Sequence, residues 1–361
     1  FIICNWSIME AFLRKISLFI LAVTVFTACK TSQSTTTQNK NENQVKSDTT
    51  DTFLIPVEEE VAQWEKQEEE PQWVSKTGAY QAESTRKFHL KHTRLELRPD
   101  WEKQYVYGLA TLTLQTWFYP QREVILDAKG FEIESVNLLS PNQKTPLKYE
   151  YEGLKLKITL NRAYTRKENF QIEIKYIAKP NELMAQNSTF TGEEKGLYFI
   201  NPEGKIKGKP TQIWTQGETQ NNSCWFPTFD SPNVKMSQDV LITVDDKYVT
   251  LSNGKLISSQ KQANNQRTDH WKQENPHSPY LTMIAVGEFS IVKDKWKDKE
   301  VSYYVEPEYK QYARAIFGKT PKMMDFFSRK FNYDFPWEKY AQVVVRDYTS
   351  GAMENTGATV M

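Results

Sequence analysis

The chain has 361 residues and carries 46 Lys and Arg against 45 Asp and Glu, a formal net charge of +1. That length gives room for two or three domains, and the near balance, with lysines scattered among acids and no basic stripe, excludes a nucleic-acid partner. Apolar and charged fractions of 39% and 25% are those of a globular protein rather than a disordered one.

In chain order, the first feature is an export signal. From Met9 the sequence runs Met-Glu-Ala-Phe-Leu-Arg-Lys, then apolar from Ile16 to Phe26, then Thr27-Ala28-Cys29. A basic start, a short apolar stretch and small residues at a cleavage point form a signal peptide. The stretch is shorter than the roughly 20 residues that cross a bilayer. Phe26-Thr27-Ala28-Cys29 resembles a bacterial lipobox, which makes Cys29 the site of lipidation. Residues 1–28 are therefore expected to be upstream residues and signal peptide, and the protein an exported, membrane-anchored lipoprotein on the periplasmic or cell-surface side. Residues 29–84 are expected to be a flexible polar, acidic tether: residues 30–50 hold too few apolar side chains to order themselves, and residues 53–72, which mix acids with Leu54, Ile55, Val57, Val61 and Trp64, read as a short helix or solvated surface. Cys4 lies before the start and Cys29 takes lipid, so no intrachain disulfide is expected. Cys224, beside Trp225 and Phe226, reads as a buried small apolar residue.

From residue 85 the pattern becomes that of strands. Tyr105 to Phe118 alternates through Val106, Ala110, Leu112 and Leu114, with Gly108 leaving one gap in the apolar face. Similar runs follow at Glu123–Leu126, Phe131–Leu139, Leu154–Leu160, Phe170–Ile177, Leu197–Ile200, Val240–Val244, Tyr248–Ser252 and Tyr280–Val286. Period-two alternation of β-branched and aromatic residues marks half-buried strands. Their succession without helices predicts an N-terminal, saddle-like sandwich of antiparallel sheets over residues 85–289. Residues 201–210, rich in Gly, Pro and Lys, read as an exposed loop.

After residue 290 the character shifts to α/β. Val301–Val305 reads as a strand. Pro307 to Lys330 is helical, with Gly318 and Pro321 breaking or kinking it, and Tyr340 to Arg346 is a strongly apolar strand. The chain closes on the apolar strand Ala358 to Met361, which reads as an interruption within this second domain, residues 290–361.

Two segments carry candidate chemistry. One is Thr215-Gln216-Gly217-Glu218-Thr219, followed by Trp225-Phe226-Pro227-Thr228-Phe229-Asp230-Ser231-Pro232. The other is Ser350-Gly351-Ala352-Met353-Glu354-Asn355-Thr356-Gly357. Each sets a carboxylate beside glycine at a strand end, where another backbone can come close, and two such carboxylates suit an ammonium group. On the residues alone, a tight turn with a solvent-facing Glu is the favoured reading of either segment.

The pentapeptide Gly351-Ala352-Met353-Glu354-Asn355 resembles the exopeptidase motif of the aminopeptidase N-type zinc metallopeptidases. Similar to that family as well are Tyr333 to Gly357, Thr215-Gln216-x-Glu218, the 225–232 run, Leu251-Ser252-Asn253, and Tyr280 to Phe289, all in the family's order. The resemblance covers residues 87–361. It implies a β domain followed by the start of a thermolysin-like catalytic domain, and an aminopeptidase acting on peptides with a free N-terminus. Gly351 and Ala352 are then expected on a strand at the cleft floor, which a substrate extends by β-augmentation. Glu354 and Glu218 would hold the α-ammonium, Gln216 and Met353 would line the first side-chain pocket, and Asn355 would support the strand. Thr356 departs from the aromatic residue of many relatives.

The family binds one Zn²⁺ through His-Glu-x-x-His on a helix and a later Glu, with the motif's Glu as general base. No such motif occurs here, so those ligands are expected beyond Met361. The segment by itself would then anchor substrate without hydrolysing it. His89, His92, His270 and His277 read as surface or packing residues, His89 and His92 facing opposite sides of their strand. The alternative reading is a non-catalytic surface lipoprotein that binds peptides or glycans through the sandwich. A third keeps the family but changes the chemistry, as in its epoxide-hydrolysing member.

Overall fold

The computed structural model describes residues 85–183, 195–349 and 351–361. The readings of the signal peptide, Cys29 and the tether lie outside the described residues.

Fifteen strands make up the first part. They are β1 (Phe88–Asp100), β2 (Tyr105–Thr116), β3 (Gln121–Asp127), β4 (Phe131–Ser140) and β5 (Gln143–Pro146), then β6 (Lys148–Tyr151), β7 (Lys155–Tyr164), β8 (Asn169–Ala178), β9 (Leu197–Ile200) and β10 (Gln212–Thr215). After a long connection come β11 (Met236–Asp245), β12 (Val249–Ser252), β13 (Lys255–Lys261), β14 (Gln266–His277) and β15 (Ile284–Gly287). They form an eight-stranded sheet in the order β13-β14-β11-β1-β2-β8-β4-β5, a four-stranded sheet β12-β15-β10-β9 and a three-stranded sheet β3-β7-β6. Pairing in these sheets is antiparallel with one exception. β1 and β11 run parallel, His92 opposite Ser237 and Leu97 opposite Ile242.

The alternation read in β2 is present residue by residue: Val106, Gly108, Ala110, Leu112 and Leu114 are buried and their neighbours half-exposed. Each fully buried Leu contributes about 1.5–3 kcal/mol of transfer free energy. The gap at Gly108 is filled from across the sheet. Its register partner on β8 is Tyr176, whose ring would lie 2.2 Å from a Cβ at position 108. Only glycine admits that ring, and the ring's hydroxyl reaches on to donate to the Trp225 carbonyl at 3.0 Å.

The stretch 280–286 differs from a continuous strand. A 3₁₀ turn, Pro279–Leu281, precedes β15. Asn222 Nδ2 donates to the carbonyls of Pro279 (2.7 Å) and Thr282 (2.8 Å), so these two acceptors are taken by a side chain rather than by a neighbouring strand.

The second part is α/β. β16 (Ser290–Trp296) and β17 (Lys299–Val305) form a hairpin. Helices α1 (Lys310–Phe317) and α2 (Thr320–Phe331) follow, then β18 (Lys339–Val343) and β19 (Ala358–Val360). The sheet order is β16-β17-β18-β19, with β17, β18 and β19 parallel. The helical pair is the crossover that a parallel neighbour requires. Gly318 separates the helices, Pro321 sits in the first turn of α2 where its missing N–H costs nothing, and Asn332, left-handed at φ 50°, ends α2. One buried cluster runs from the β domain into this sheet, through Phe289, Tyr304, Ala341, Val343, Ala358 and Val360.

Candidate functional site

β10 lies between β9 and β15 with all four residues buried. Its last residue, Thr215, accepts from Ile284 N through Oγ1 at 3.0 Å, and Gln216 N donates to Gly196 O at 2.9 Å. Gly217 follows in a space that excludes any side chain: a Cβ there would lie 2.2 Å from Tyr280 O and 2.5 Å from Asn222 Nδ2. Asn222 is locked in turn by its bonds to Pro279 and Thr282 and by Trp225 Nε1, which donates to its Oδ1 at 2.7 Å. The chain therefore leaves β10 on a fixed course and delivers Glu218 to the surface. The Glu218–Thr219 peptide bond is cis. The aromatic run that follows is core: Cys224, Trp225 and Phe226 are fully buried. Asp230, also buried, takes Ser223 N on Oδ2 at 2.9 Å while Oδ1 has no hydrogen-bond partner. Burial raises its carboxyl to about 6.

The second segment is reached from β18 through 344–349. Arg346 binds the Glu306 carboxylate with two parallel bonds, Nε to Oε1 at 2.6 Å and Nη2 to Oε2 at 2.8 Å, the strong bidentate form of the ion pair. Its backbone is tied to β10, accepting from Trp214 Nε1 at 3.0 Å and donating to Gln212 Oε1 at 2.9 Å. Tyr348 packs edge-on against Trp214, whose other face stacks on Tyr198.

The structure corrects the expected placement of Gly351 and Ala352 on a strand. Met353 makes the ladder bonds, donating to Val360 O at 2.9 Å and accepting from Val360 N at 3.2 Å. Among the described residues, Gly351 and Ala352 are exposed and lie outside any strand. No atom lies within 4 Å of where a Cβ at Gly351 would sit. Glu354 is exposed. Asn355 is 2% exposed, its carbonyl accepts from Ala358 N at 3.0 Å, and its side-chain amide has no hydrogen-bond partner in the chain. It shapes the turn through its backbone.

The two segments meet. Gln216 Nε2 lies 3.6 Å from Met353 Sδ, and the Tyr348 hydroxyl donates to Gln216 Oε1 at 2.6 Å. The Tyr348 hydroxyl is held well above the ordinary phenol range by burial first, then by Tyr198 and by the charges of Glu354 and Glu218. A depression of about 440 Å³ lies beside Gln216, Glu218, Thr219, Asn221 and Thr349. A larger one, about 650 Å³, is lined by Arg86, Phe88, Asp127, Phe229 and Asp230 and includes none of the residues expected to hold substrate. The smaller one is the candidate site because Gln216 and Glu218 line it; Glu354 is not among its lining residues. Tyr348 was not singled out from sequence, and its only signal is an aromatic between an apolar strand and the glycine of the pentapeptide.

The histidines lie elsewhere. His89 packs on Trp117. His92 Nε2 is 3.0 Å from Asp239 Oδ2, and His270 Nε2 bonds the other oxygen of the same carboxylate. A bulge between Leu90 and His92 shifts the phase of β1, so His89 and His92 both leave the core face rather than facing opposite sides. Among the described residues, no group of three or more His, Cys, Asp and Glu side chains is placed to hold a metal ion. These residues therefore offer no donor set for a zinc ion.

Comparison with known proteins agrees with this geometry. Residues 88–281 match the Peptidase M1 N-terminal domain, and residues 316–361 match the Peptidase family M1 domain. The puromycin-sensitive aminopeptidase of Caenorhabditis elegans is 26% identical over 235 residues, which is 64% of this chain and 24% of that protein. The glutamyl aminopeptidase of Homo sapiens is 31% identical over 172 residues, 47% of this chain and 18% of that protein. The chain spans about a quarter, at most, of the length of the curated relatives it matches. The N-terminal match alone takes in more than half of the chain, and the chain belongs to peptidase family M1, the aminopeptidase N-type zinc metallopeptidases.

Proposed function

We propose that these residues form the part of a zinc-dependent aminopeptidase that grips the free N-terminus of a peptide, with Glu218 and Glu354 sharing its α-ammonium. The observation that carries this reading is that the segments bearing Glu218 and Glu354, far apart in sequence, meet: Gln216 Nε2 lies 3.6 Å from Met353 Sδ, and Tyr348 donates to Gln216 Oε1 at 2.6 Å. An ammonium between two carboxylates makes charge-assisted hydrogen bonds, roughly twice as strong as neutral ones. It also fixes which peptide bond is presented for cleavage. Gly351 and Ala352, exposed and free of ladder bonds, leave backbone groups open to an incoming strand. The open space over Gly351 gives that strand room. Gln216 and Met353, in contact, are the lining of the first side-chain pocket. A peptide interior offers no ammonium and would leave both acids unpaired, which is the basis of exopeptidase selectivity. Hydrolysis itself is assigned to a zinc site outside the described residues. The Met9–Cys29 pattern supports export and lipid anchoring of the same protein.

The test is substitution of either acid in the intact enzyme. Glu354→Ala and Glu218→Ala are each expected to raise KM for aminoacyl substrates by about 10- to 100-fold, since a hydrogen bond to a charged group is worth about 1.5–3 kcal/mol, with bound zinc unchanged. Wild-type kinetics in both variants would remove the anchoring role.

A further inference from the structure

The turn at Asn355–Gly357 is fastened to the β domain by a buried chain of hydrogen bonds. Asn253, just after β12, donates from Nδ2 to the carbonyls of Leu281 and Thr356, each at 2.9 Å. Its Oδ1 accepts from Met283 N at 2.8 Å and from Gln238 Nε2 at 3.0 Å. With its amide nitrogen so engaged, Gln238 presents Oε1 to Thr282 Oγ1 at 2.8 Å and to His277 Nε2 at 2.9 Å. An amide oxygen only accepts, so the proton of the His277 ring sits on Nε2. Nδ1 is thereby left as an acceptor, 3.0 Å from Thr356 Oγ1, whose hydroxyl donates to it. On the other side of the turn, Lys339 Nζ donates to the carbonyls of Gly357 at 2.9 Å and Ser252 at 2.8 Å. Gln238, Asn253, His277, Thr282, Lys339 and Thr356 are all buried. Burial also lowers the His277 ring to about 3, which keeps it neutral and in this one tautomer.

Among the described residues, this fastening is the buried side-chain support nearest to the Glu354 backbone. On its N-terminal side, among the same residues, Met353 is held by two ladder bonds to Val360. On its C-terminal side the Asn355 side chain has no hydrogen-bond partner, so the first side-chain bonds reached are those of Thr356. A fully connected buried polar network holds one arrangement of its members. We propose that His277 is a positioning residue for Glu354: acting through the Thr356 hydroxyl, it sets the direction from which the carboxylate meets a substrate's ammonium. The proposal rests on the anchoring role of Glu354. It gives Thr356 a purpose of its own, as the hydroxyl that the buried imidazole accepts.

The test uses the intact, zinc-loaded enzyme and two ligands, dialanine and N-acetyl-dialanine, with each Ki measured from initial rates by competition against a chromogenic aminoacyl substrate, so that slow loss of dialanine does not enter. Thr356→Val keeps the shape of the side chain and removes the hydroxyl. It is expected to weaken dialanine roughly tenfold, the order of one lost buried hydrogen bond, and to leave the acetylated ligand unchanged. Thr356→Ser, which retains the hydroxyl, is expected to restore the preference for the free amine, an outcome that mere packing of a methyl group does not produce. His277→Asn, which keeps an acceptor near the Nδ1 position, should retain more of that preference than His277→Leu. Glu354→Gln is the control. If Glu354→Gln abolishes the preference while Thr356→Val and His277→Leu leave it intact, the positioning role of His277 is overturned and the anchoring role stands. If Glu354→Gln leaves the preference unchanged, the anchoring role falls, and this proposal with it.

Discussion

Lys339 offers a quantitative check on the buried side of the site. It is 6% exposed, its ammonium bonds two backbone carbonyls, and no carboxylate pairs with it. Burial lowers it from 10.5 to about 7, partly opposed by Glu338 and Glu300. Between pH 7 and pH 10.5 the folded chain therefore holds fewer protons at this position than the unfolded chain. Folding stability rises with pH across that window, is complete above it, and is lost as pH falls towards 7. Each pH unit is worth about 1.4 kcal/mol, so the whole window of about 3.5 units amounts to about 5 kcal/mol. Lys339→Met has no proton to lose at this position. It strands the carbonyls of Ser252 and Gly357, at a cost of about 1–3 kcal/mol each that does not vary with pH. The assay is urea unfolding of both proteins from about pH 7 to about pH 10 at fixed ionic strength. The other lysines and the tyrosines titrate alike in both and cancel in the difference. The wild-type stability relative to the variant should climb by about 1.4 kcal/mol per pH unit. A flat difference would mean that Lys339 keeps its charge in the fold, and the account of its burial would be wrong.

Two further substitutions probe the glycines beside the carboxylates. Gly217→Ala forces a Cβ against Tyr280 O and the Asn222 amide, and is expected to destabilise by about 2–4 kcal/mol through overpacking and disturbed buried hydrogen bonds. A change in unfolding free energy under about 0.5 kcal/mol, the scale of a neutral surface substitution, would refute that. Gly351→Ala meets nothing in the chain, so its melting temperature should match the wild type. Its KM for aminoacyl substrates should rise several-fold if a substrate backbone passes over position 351, and an unchanged KM would argue against that path.

Much of the architecture was legible because half-buried strands betray themselves by alternation, as β2 and β8 do, and because Gly318 and Pro321 mark where a long helical pattern divides. β13, almost wholly exposed, and β10, buried on all four residues, lack that alternation and cannot be found by period. The parallel pairing of β1 with β11 is a choice made between residues far apart in the chain, which no local pattern records. The carboxylates of the site were legible through two short motifs, while their surroundings were not. Gln238 and Lys339 carry no signal in the sequence, and nothing local joins them to Asn253, His277 and Thr356; only the fold brings the five into one network. Of the strand expected around Gly351 and Ala352, the described residues show only the single bridge between Met353 and Val360.

The parallel pairing also bears on how the polypeptide comes to its shape. His92 finds Ser237 across 145 residues, so the outer edge of β1 has no partner until β11 has been made. At typical synthesis speeds of about 5–20 residues per second, that wait is roughly 7–30 s. From the completion of β8 until β11 arrives, the β1–β2–β8 core presents an open edge of backbone donors and acceptors, to which a neighbouring nascent chain can add. Yield during production should therefore depend on how quickly β11 arrives, and slow codons between β8 and β11 should lower it more than slow codons after β15.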